Sequence, residues 1–520
     1  MPGIGSALVS RIRRLDPMVL LIVVSATGAR ILAALTGLGT YTQVLNPRSA
    51  SSDQYQLLDV HLLETHLVTS IWHLNMQPPL YNLAVGVVVH LPSSWQAAAA
   101  EVGLFICFVT ICVATYLTML ELSVDRRVAC GFTLVFVVAN PAAIFYSSQL
   151  FYTEPTAALA TLFCLLLVRA ARAPSTSRVA IATSAGALLS LTNSSFQPIM
   201  LLLVVIALAV MVRAHLRSVL LGSLGPLLFV ALWMIRGVLL FGVATTSSWL
   251  GMNMADMTTS VAKPSVVRSM VSSGQLSPLA LTRPWGPLIV YRAAPATHGP
   301  AAVTATHKEN GRLNFNNGGY IGVSNRFLKN DFKFIAHRPL SYARQVRTAG
   351  ELWLVPAEQY PPFDLLRPSA IVSYEHLYAK VILLQPRSDG LAIVDWNVHH
   401  KGPAGTQLAI SEILTWLVVL LGGPVVVVLW WKRRRPDAAA LILVTFVAVE
   451  WLVTTSLVDV GENNRFSFEL GTIPLSIAVA VASELVRRLR ARRATGEDSS
   501  ARAPTASETG RLPLGTSELP

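Results

Sequence analysis

Charge is what this sequence has least of: Asp, Glu, Lys and Arg make up 13% of its 520 residues, where soluble globular domains carry about 25%. With 53% hydrophobic residues and a mean hydropathy of +0.53, too little polar surface remains to keep the chain in water, and a soluble domain is excluded. Cysteine is scarce as well. Cys107, Cys112, Cys130 and Cys164 all fall in apolar stretches, which excludes a disulfide framework in the outer loops and leaves them as small core side chains. No internal repeat is found, and neither are the paired broken spans that mark many secondary transporters.

What is present is a series of apolar runs of roughly 17 to 25 residues, the length that crosses the hydrocarbon core as a helix. They predict about ten spans, at 17–37, 97–120, 128–146, 154–169, 179–193, 197–213, 218–240, 408–431, 437–457 and 469–486. The N-terminal run reads as an uncleaved first span, because no small-residue cleavage motif follows it. Basic residues then orient the chain. Arg11, Arg13 and Arg14, Arg126 and Arg127, Arg169, Arg172 and Arg178, Arg213 and Arg217, Lys432 to Arg435, and Arg487 to Arg493 mark every second loop as cytoplasmic. The net charge of +13 is therefore mostly juxtamembrane, suited to anionic lipid, and calls for no nucleic-acid partner.

This parity requires 38–96 to be one extracytoplasmic segment, with the Leu80 to Leu91 run lying along the membrane. The predicted organisation is a cytoplasmic N-terminus (1–16), a transmembrane module (17–241, including outer loop 38–96), a large extracytoplasmic loop (242–407), C-terminal spans (408–486) and a basic cytoplasmic tail (487–520). Residues 494–520 are predicted to lack fixed structure. Residues 339–360 are predicted to form a surface helix with Tyr342, Leu352 and Trp353 toward lipid.

Ionisable groups within the spans are costly, so their depth is informative. Arg30, Glu101, Glu154, Arg236, Glu450 and Glu469 all fall toward the outer ends, as a site opening on the outer face requires; snorkelling or structural pairing is the plainer account of any one of them. In the first outer loop, Asp59, His66 and His73 recur every seven residues along 57–74, one face of a single interfacial helix, either solvated or turned to a polar cavity. His61 and His66 flank Glu64 at i and i+5, a spacing that turns the second ring about 140° away, so a helical zinc site is not expected. Then comes His73-Leu74-Asn75-Met76-Gln77-Pro78-Pro79-Leu80-Tyr81. Its double proline ends one helix and starts the next, aiming polar groups from a rigid corner.

Three stretches carry a family resemblance: Asp53 with the following helix and the Pro-Pro-Leu-Tyr corner; Asn140-Pro141 through Tyr152-Thr153-Glu154-Pro155; and Arg236 into Ser247 to Asn253, with a late Asn464-Arg465-Phe466. In this order they resemble the GT-C superfamily of membrane glycosyltransferases, and most the protein O-mannosyltransferase and lipid-A aminoarabinose transferase branch. The resemblance covers roughly residues 10–255 and 458–475 and implies an all-α polytopic GT-C type bundle. It also implies inverting transfer of a sugar from a polyprenyl-phosphate donor to an acceptor hydroxyl of a glycan, lipid or protein, outside a plasma membrane. The Ala- and Arg-rich usage favours a bacterial plasma membrane over the endoplasmic reticulum, the other location open to this reading. On the matching positions Asp53 is the general base, Glu154 orients the acceptor or holds a divalent metal, and His73, Gln77 and Tyr81 contact the donor. Relatives often have an Arg after the Pro-Pro helix, where this chain has Ser93-Ser94-Trp95-Gln96 and then Glu101. Phosphate contact therefore falls to Arg236 and Arg465. Asn253, Asn316 and Asn317 are candidates for acceptor or lid contacts, although Asn-Gly clusters also make plain turns.

Structural roles remain open for the same residues: a helix cap for Asp53, a favourable N-terminal charge for Glu154, a turn position for His73. A transporter or flippase of a lipid-linked sugar, or a scaffold presenting substrate to an enzyme, would carry similar charges.

Overall fold

A computed structural model of the protein describes residues 16–42, 45–46, 48, 54–358, 368–386 and 408–501, with side chains as far as residue 491. Among these residues the fold is all-α, its only β pairing being isolated bridges such as Tyr41 with Gln149. Six helices are long and apolar enough to cross a membrane: Pro17–Leu35, Ser93–Glu121, Thr153–Arg172, Arg213–Phe241, Ile410–Trp431 and Arg435–Val458. Asn463–Leu470 with Thr472–Ala491, bent by 56°, makes a seventh if the pair is one span.

The count of ten is therefore not reproduced by single long helices. The predicted span 128–146 is Arg126–Thr133, a π-helical turn at Leu134–Val138, and Pro141–Tyr146, broken where Asn140 caps the new helix by accepting from Ala142 N at 2.9 Å. The predicted spans 179–193 and 197–213 are Thr176–Ser190 and Pro198–Met211, of 15 and 14 residues. At 1.5 Å per residue each is about 21–23 Å long, short of the ~30 Å hydrocarbon core.

The lipid environment is written on the surface. Only 22% of the apolar window is buried in both Pro17–Leu35 and Arg213–Phe241, against 72% in the central Thr153–Arg172. Leu35, Leu224, Leu239 and Leu421 are more than 60% exposed. An apolar belt of this extent is stable only against lipid. The protein is thus an integral membrane bundle, wrapped around Thr153–Arg172. That helix packs on Ser93–Glu121, Thr176–Ser190, Arg435–Val458 and Asn463–Leu470.

One end of the bundle gathers the loops that the basic pattern assigned to a single side. Glu121 pairs with Arg169 at 3.0 Å and Arg172 at 2.9 Å, and Asp437 with Arg172 at 2.8 Å and Arg434 at 3.1 Å. Arg126 pairs with Asp16, while Arg434 and Arg487 both donate to Ser123. The last helix runs on to Ala501, past the start of the stretch predicted to be unstructured. Glu484 holds Arg487 and Arg488 on one face, and the Ala- and Arg-rich residues 489–494 continue the helix.

The other end carries the segments that the sequence pattern predicts to be outer. The predicted 57–74 helix is two short ones, Val60–Thr65 and Leu67–Trp72, broken at His66. The stripe of Asp59, His66 and His73 is therefore not one helical face. Asp59 is an N-cap instead, accepting from His61 N at 3.1 Å and from Glu309 N at 2.8 Å. Pro79–Val89 starts at its proline as expected and buries Tyr81, Asn82 and Val85. Pro339–Leu352 forms, but Leu352 and Trp353 are buried rather than turned to lipid: Trp353 donates from its indole to Thr455 Oγ1 at 3.1 Å and packs edge-on to Trp416. A buried hydrogen-bond partner for the indole outweighs an interfacial position.

Candidate functional site

The end that bears the outer segments has a hub, Arg465. It lies in Asn463–Leu470, the first half of the bent pair, and is fully buried. Its guanidinium donates to Thr153 Oγ1 at 2.9 Å, Glu469 Oε1 at 2.8 Å and Tyr152 OH at 2.7 Å, and pairs with Glu462. The rings of Phe151, Tyr152 and Phe466 lie 4.6–5.1 Å from it. Glu469 also accepts from Asn193 Nδ2 at 2.8 Å. Fork-shaped donation to several partners is what a guanidinium does and an ammonium does not.

Tyr152 links this hub to the first outer loop. Its ring meets that of Tyr81 edge-on at 5.9 Å, and Tyr81 OH lies 2.7 Å from Gln54 Oε1 and 2.9 Å from the carbonyl of Leu150. Gln54 Nε2 donates to the same carbonyl at 2.8 Å. Asp53 lies outside the described residues. Lys308 Nζ donates to Gln54 O at 2.9 Å; it is a buried cation that sequence pattern did not single out.

The corner 73–81 is held by side chains from far along the chain. Asn316 accepts from Asn75 N at 2.8 Å and Met76 N at 3.2 Å, and donates to the carbonyls of His73 at 3.1 Å and Ala302 at 2.9 Å. Ser247 and Ser248 donate to Met76 O and Asn75 Oδ1. Arg236 donates to the carbonyls of Trp72 at 3.0 Å and Leu74 at 2.9 Å, closing the end of Leu67–Trp72, with Trp233 stacked on it at 3.7 Å. Asn317 binds backbone at Ala296, Thr304, Ala305 and Gly319. Asn316 and Asn317 thus spend their amides on backbone, and both terminal nitrogens of Arg236 are engaged with carbonyls. His73 ring Nδ1 is 2.9 Å from Thr69 O, leaving Nε2 and half-exposed Gln77 near the surface. Asn253 is half-buried on Leu250–Met257.

Glu154 stands where it was predicted, at the start of Thr153–Arg172, but it is fully buried, and among the described residues neither oxygen has a hydrogen-bond partner. The cation it senses is Arg30, which donates to Leu38 O at 3.2 Å and Thr40 Oγ1 at 2.9 Å and lies 3.6 Å from Glu101. The predicted gathering of charge at one end therefore holds for Arg30, Glu101, Glu154 and Glu469, whereas contact between Glu154 and an external ligand is closed in this arrangement.

Sequence pattern also missed an acidic group beside the hub, in the outer segments. Asp256 accepts from Trp285 Nε1 at 2.7 Å, and burial pushes its carboxyl up to about 6 against that bond. Asp459 is raised above the usual carboxylate range by burial and then by Glu462 and Asp256, with Arg465 opposing. These acids belong to one electrostatic neighbourhood with the hub, although among the described residues no group of three or more His, Cys, Asp or Glu is placed to hold a metal ion. Behind them Asp331 accepts from Thr258 at 2.6 Å; burial lifts its carboxyl to about 7, the hydroxyl bond opposing and Asp256 adding to the rise. A cleft opens one turn beyond Arg465, lined by Asn140, Glu358, Glu412, Ser467 and Phe468 among others. None of the predicted site residues that the structure describes lines it.

No family model matches the chain, and no curated protein or solved structure matches it.

Proposed function

We propose that this chain is a GT-C type transferase of about ten passes, three of them broken or short, that moves a sugar from a polyprenyl-phosphate donor to an acceptor hydroxyl on the outer face. The observation that carries the reading is convergence. The first outer loop, the turn into Thr153–Arg172, the segment after Phe241 and the late Arg465 turn are distant in sequence, yet they meet through Tyr81, Tyr152, Ser247, Ser248 and Arg465.

In this reading Asp53 takes the proton of the acceptor hydroxyl as its oxygen bonds to the anomeric carbon from the face opposite the donor. The carbon–oxygen bond to phosphate breaks, and polyprenyl phosphate leaves with the electron pair. A phosphate leaving group needs its charge stabilised more than it needs a proton. Arg465 supplies that field from behind Tyr152, and a direct contact would require it to release Glu462, the more exposed of its two acidic partners. Glu154 acts with Arg30 in holding the outer ends of the spans, and His73 Nε2 and Gln77 face the donor.

The test is Asp53→Asn in purified, lipid-reconstituted protein supplied with a panel of polyprenyl-phosphate sugars. Turnover is expected to fall by about 10²–10⁴-fold, the usual contribution of a general base, while donor binding persists. Full transfer by the variant refutes the assignment; unchanged movement of the lipid across the bilayer by both proteins would identify a flippase. Mass analysis of lipid-linked sugars and envelope glycans after gene deletion identifies the sugar.

A further inference from the structure

The outer segments carry an aromatic group that the reaction above does not use. Tyr55 is 47% exposed, and its ring lies nearly parallel to Trp285 at 6.5 Å (18° between planes) and against Phe315 at 5.1 Å. Trp285 is backed by Trp249 at 5.0 Å and Phe315 at 5.7 Å. Trp285 also holds a backbone φ of +65°, a region that a bulky side chain rarely enters. The bond from its indole nitrogen to Asp256 keeps the ring in that place. A strained aromatic pinned by a carboxylate, with a half-open tyrosine laid over it, is an arrangement that hydrophobic burial alone does not call for.

We propose that Tyr55 and Trp285 form a platform for a pyranose ring of a neutral glycan, with Asp256 and Asn253 beside it as partners for sugar hydroxyls. The electron-rich face of an aromatic ring attracts the C–H face of a sugar, while carboxylate and amide groups take its hydroxyls. Asn253 and Asp256 are three residues apart on Leu250–Met257, so they project from neighbouring positions on one side of the helix. An interfacial anchor in anionic lipid is the competing use of exposed Tyr and Trp. The geometry opposes it: the indole N–H that an interfacial tryptophan turns to headgroups and water is spent on Asp256. The platform belongs to the same neighbourhood as Arg465 through Asp459. This rests on the transferase reading in one respect, that the glycan is the acceptor, and it narrows the acceptor from glycan, lipid or protein to glycan.

The test uses full-length protein in nanodiscs, screened on an array of neutral oligosaccharides and then titrated by tryptophan fluorescence with the best-bound glycan. Binding is expected to weaken about tenfold in Tyr55→Ala and to change less than about twofold in Tyr55→Phe, which keeps the ring. Asp256→Asn is expected to weaken it as well. Absence of glycan binding by the wild type, or equal binding by Tyr55→Ala, overturns the proposal. So does loss of fluorescence quenching by brominated lipid on replacing Trp285 with Phe, which would place the ring in the bilayer. Binding is read without turnover, so the two readings fail separately. A glycan bound through Tyr55 with no transfer from any donor refutes the transferase alone, and transfer to a lipid or protein with no glycan binding refutes the platform alone.

Discussion

Arg465 illustrates how far a single residue can be read. Its charge in the last outer turn is visible in the sequence, and so is Glu469 four residues on; its partners Tyr152 and Thr153 lie more than 300 residues away and could not be. Breaking a buried, hydrogen-bonded ion pair from one side typically costs about 3–5 kcal/mol. Arg465→Ala is therefore expected to lower the melting midpoint in detergent sharply. Glu469→Gln, which keeps the shape and an acceptor, is expected to lower it less, and the double variant less than the sum of the two. Strict additivity would show that the pair is not coupled. Asp331 gives a prediction with a sign. Its carboxyl is raised from 3.8 to about 7 in the folded protein. Below pH 3.8 both states hold the proton and nothing is lost. As pH rises toward 7 the unfolded carboxyl ionises first, so stability falls by an amount on the order of 4 kcal/mol. Asp331→Asn keeps an acceptor for Thr258 and removes the charge, so its melting midpoint should overtake that of the wild type progressively between about pH 4 and pH 7. A gap that stays constant over this range would mean that Asp331 does not titrate there.

Elements were legible where their signals are local. The proline at the start of Pro79–Val89, the apolar runs of the six long helices and the acid opening Thr153–Arg172 all stand where periodicity and capping put them. Asn316 and Asn317 were not legible in the same way. An Asn-Gly cluster reads as a turn or a ligand contact, and nothing within a window of residues reveals that Asn316 completes the corner at His73–Met76, more than 240 residues earlier in the chain. Asn316→Leu would strand the backbone N–H groups of Asn75 and Met76 and the carbonyl of His73, while Ala302 O keeps Asn314, at about 1–3 kcal/mol for each group left buried and unpaired. Faster proteolysis or hydrogen exchange confined first to 73–77 is expected, and protection equal to wild type would show that the corner stands without it. The approach of Leu250–Met257 to Gly319–His337 depends on a missing side chain. A Cβ on Gly251 would lie 1.9 Å from the carbonyl oxygen of Ser324, which as backbone cannot swing aside. Gly251→Ala should separate these helices and cost at least about 1–3 kcal/mol, displacing Asn253 and Asp256 with them.

At the scale of the molecule, two polar ends are separated by an apolar belt, and the sequence anticipated the division better than the helix count. Counting depends on uninterrupted hydropathy, which the π turn at Leu134–Val138 and the short Thr176–Ser190 and Pro198–Met211 defeat. Sidedness depends on where Arg and Lys recur, and the loops carrying Arg126, Arg169, Arg172, Arg434 and Arg487 do converge on one end. If short basic loops are retained in the cytoplasm here, that end is expected to face the cytosol. It follows that Ile289, 83% exposed at the other end, should react as Ile289→Cys with a membrane-impermeant maleimide applied to intact cells. Arg433→Cys, in the exposed basic turn after Ile410–Trp431, should react only after permeabilisation. The native cysteines, replaced by Ser or Ala, would not confuse the reading. The opposite labelling pattern would turn the whole bundle over. The convergence around Arg465 would then face the cytosol, and with it would go the case for a lipid-linked donor used outside the membrane.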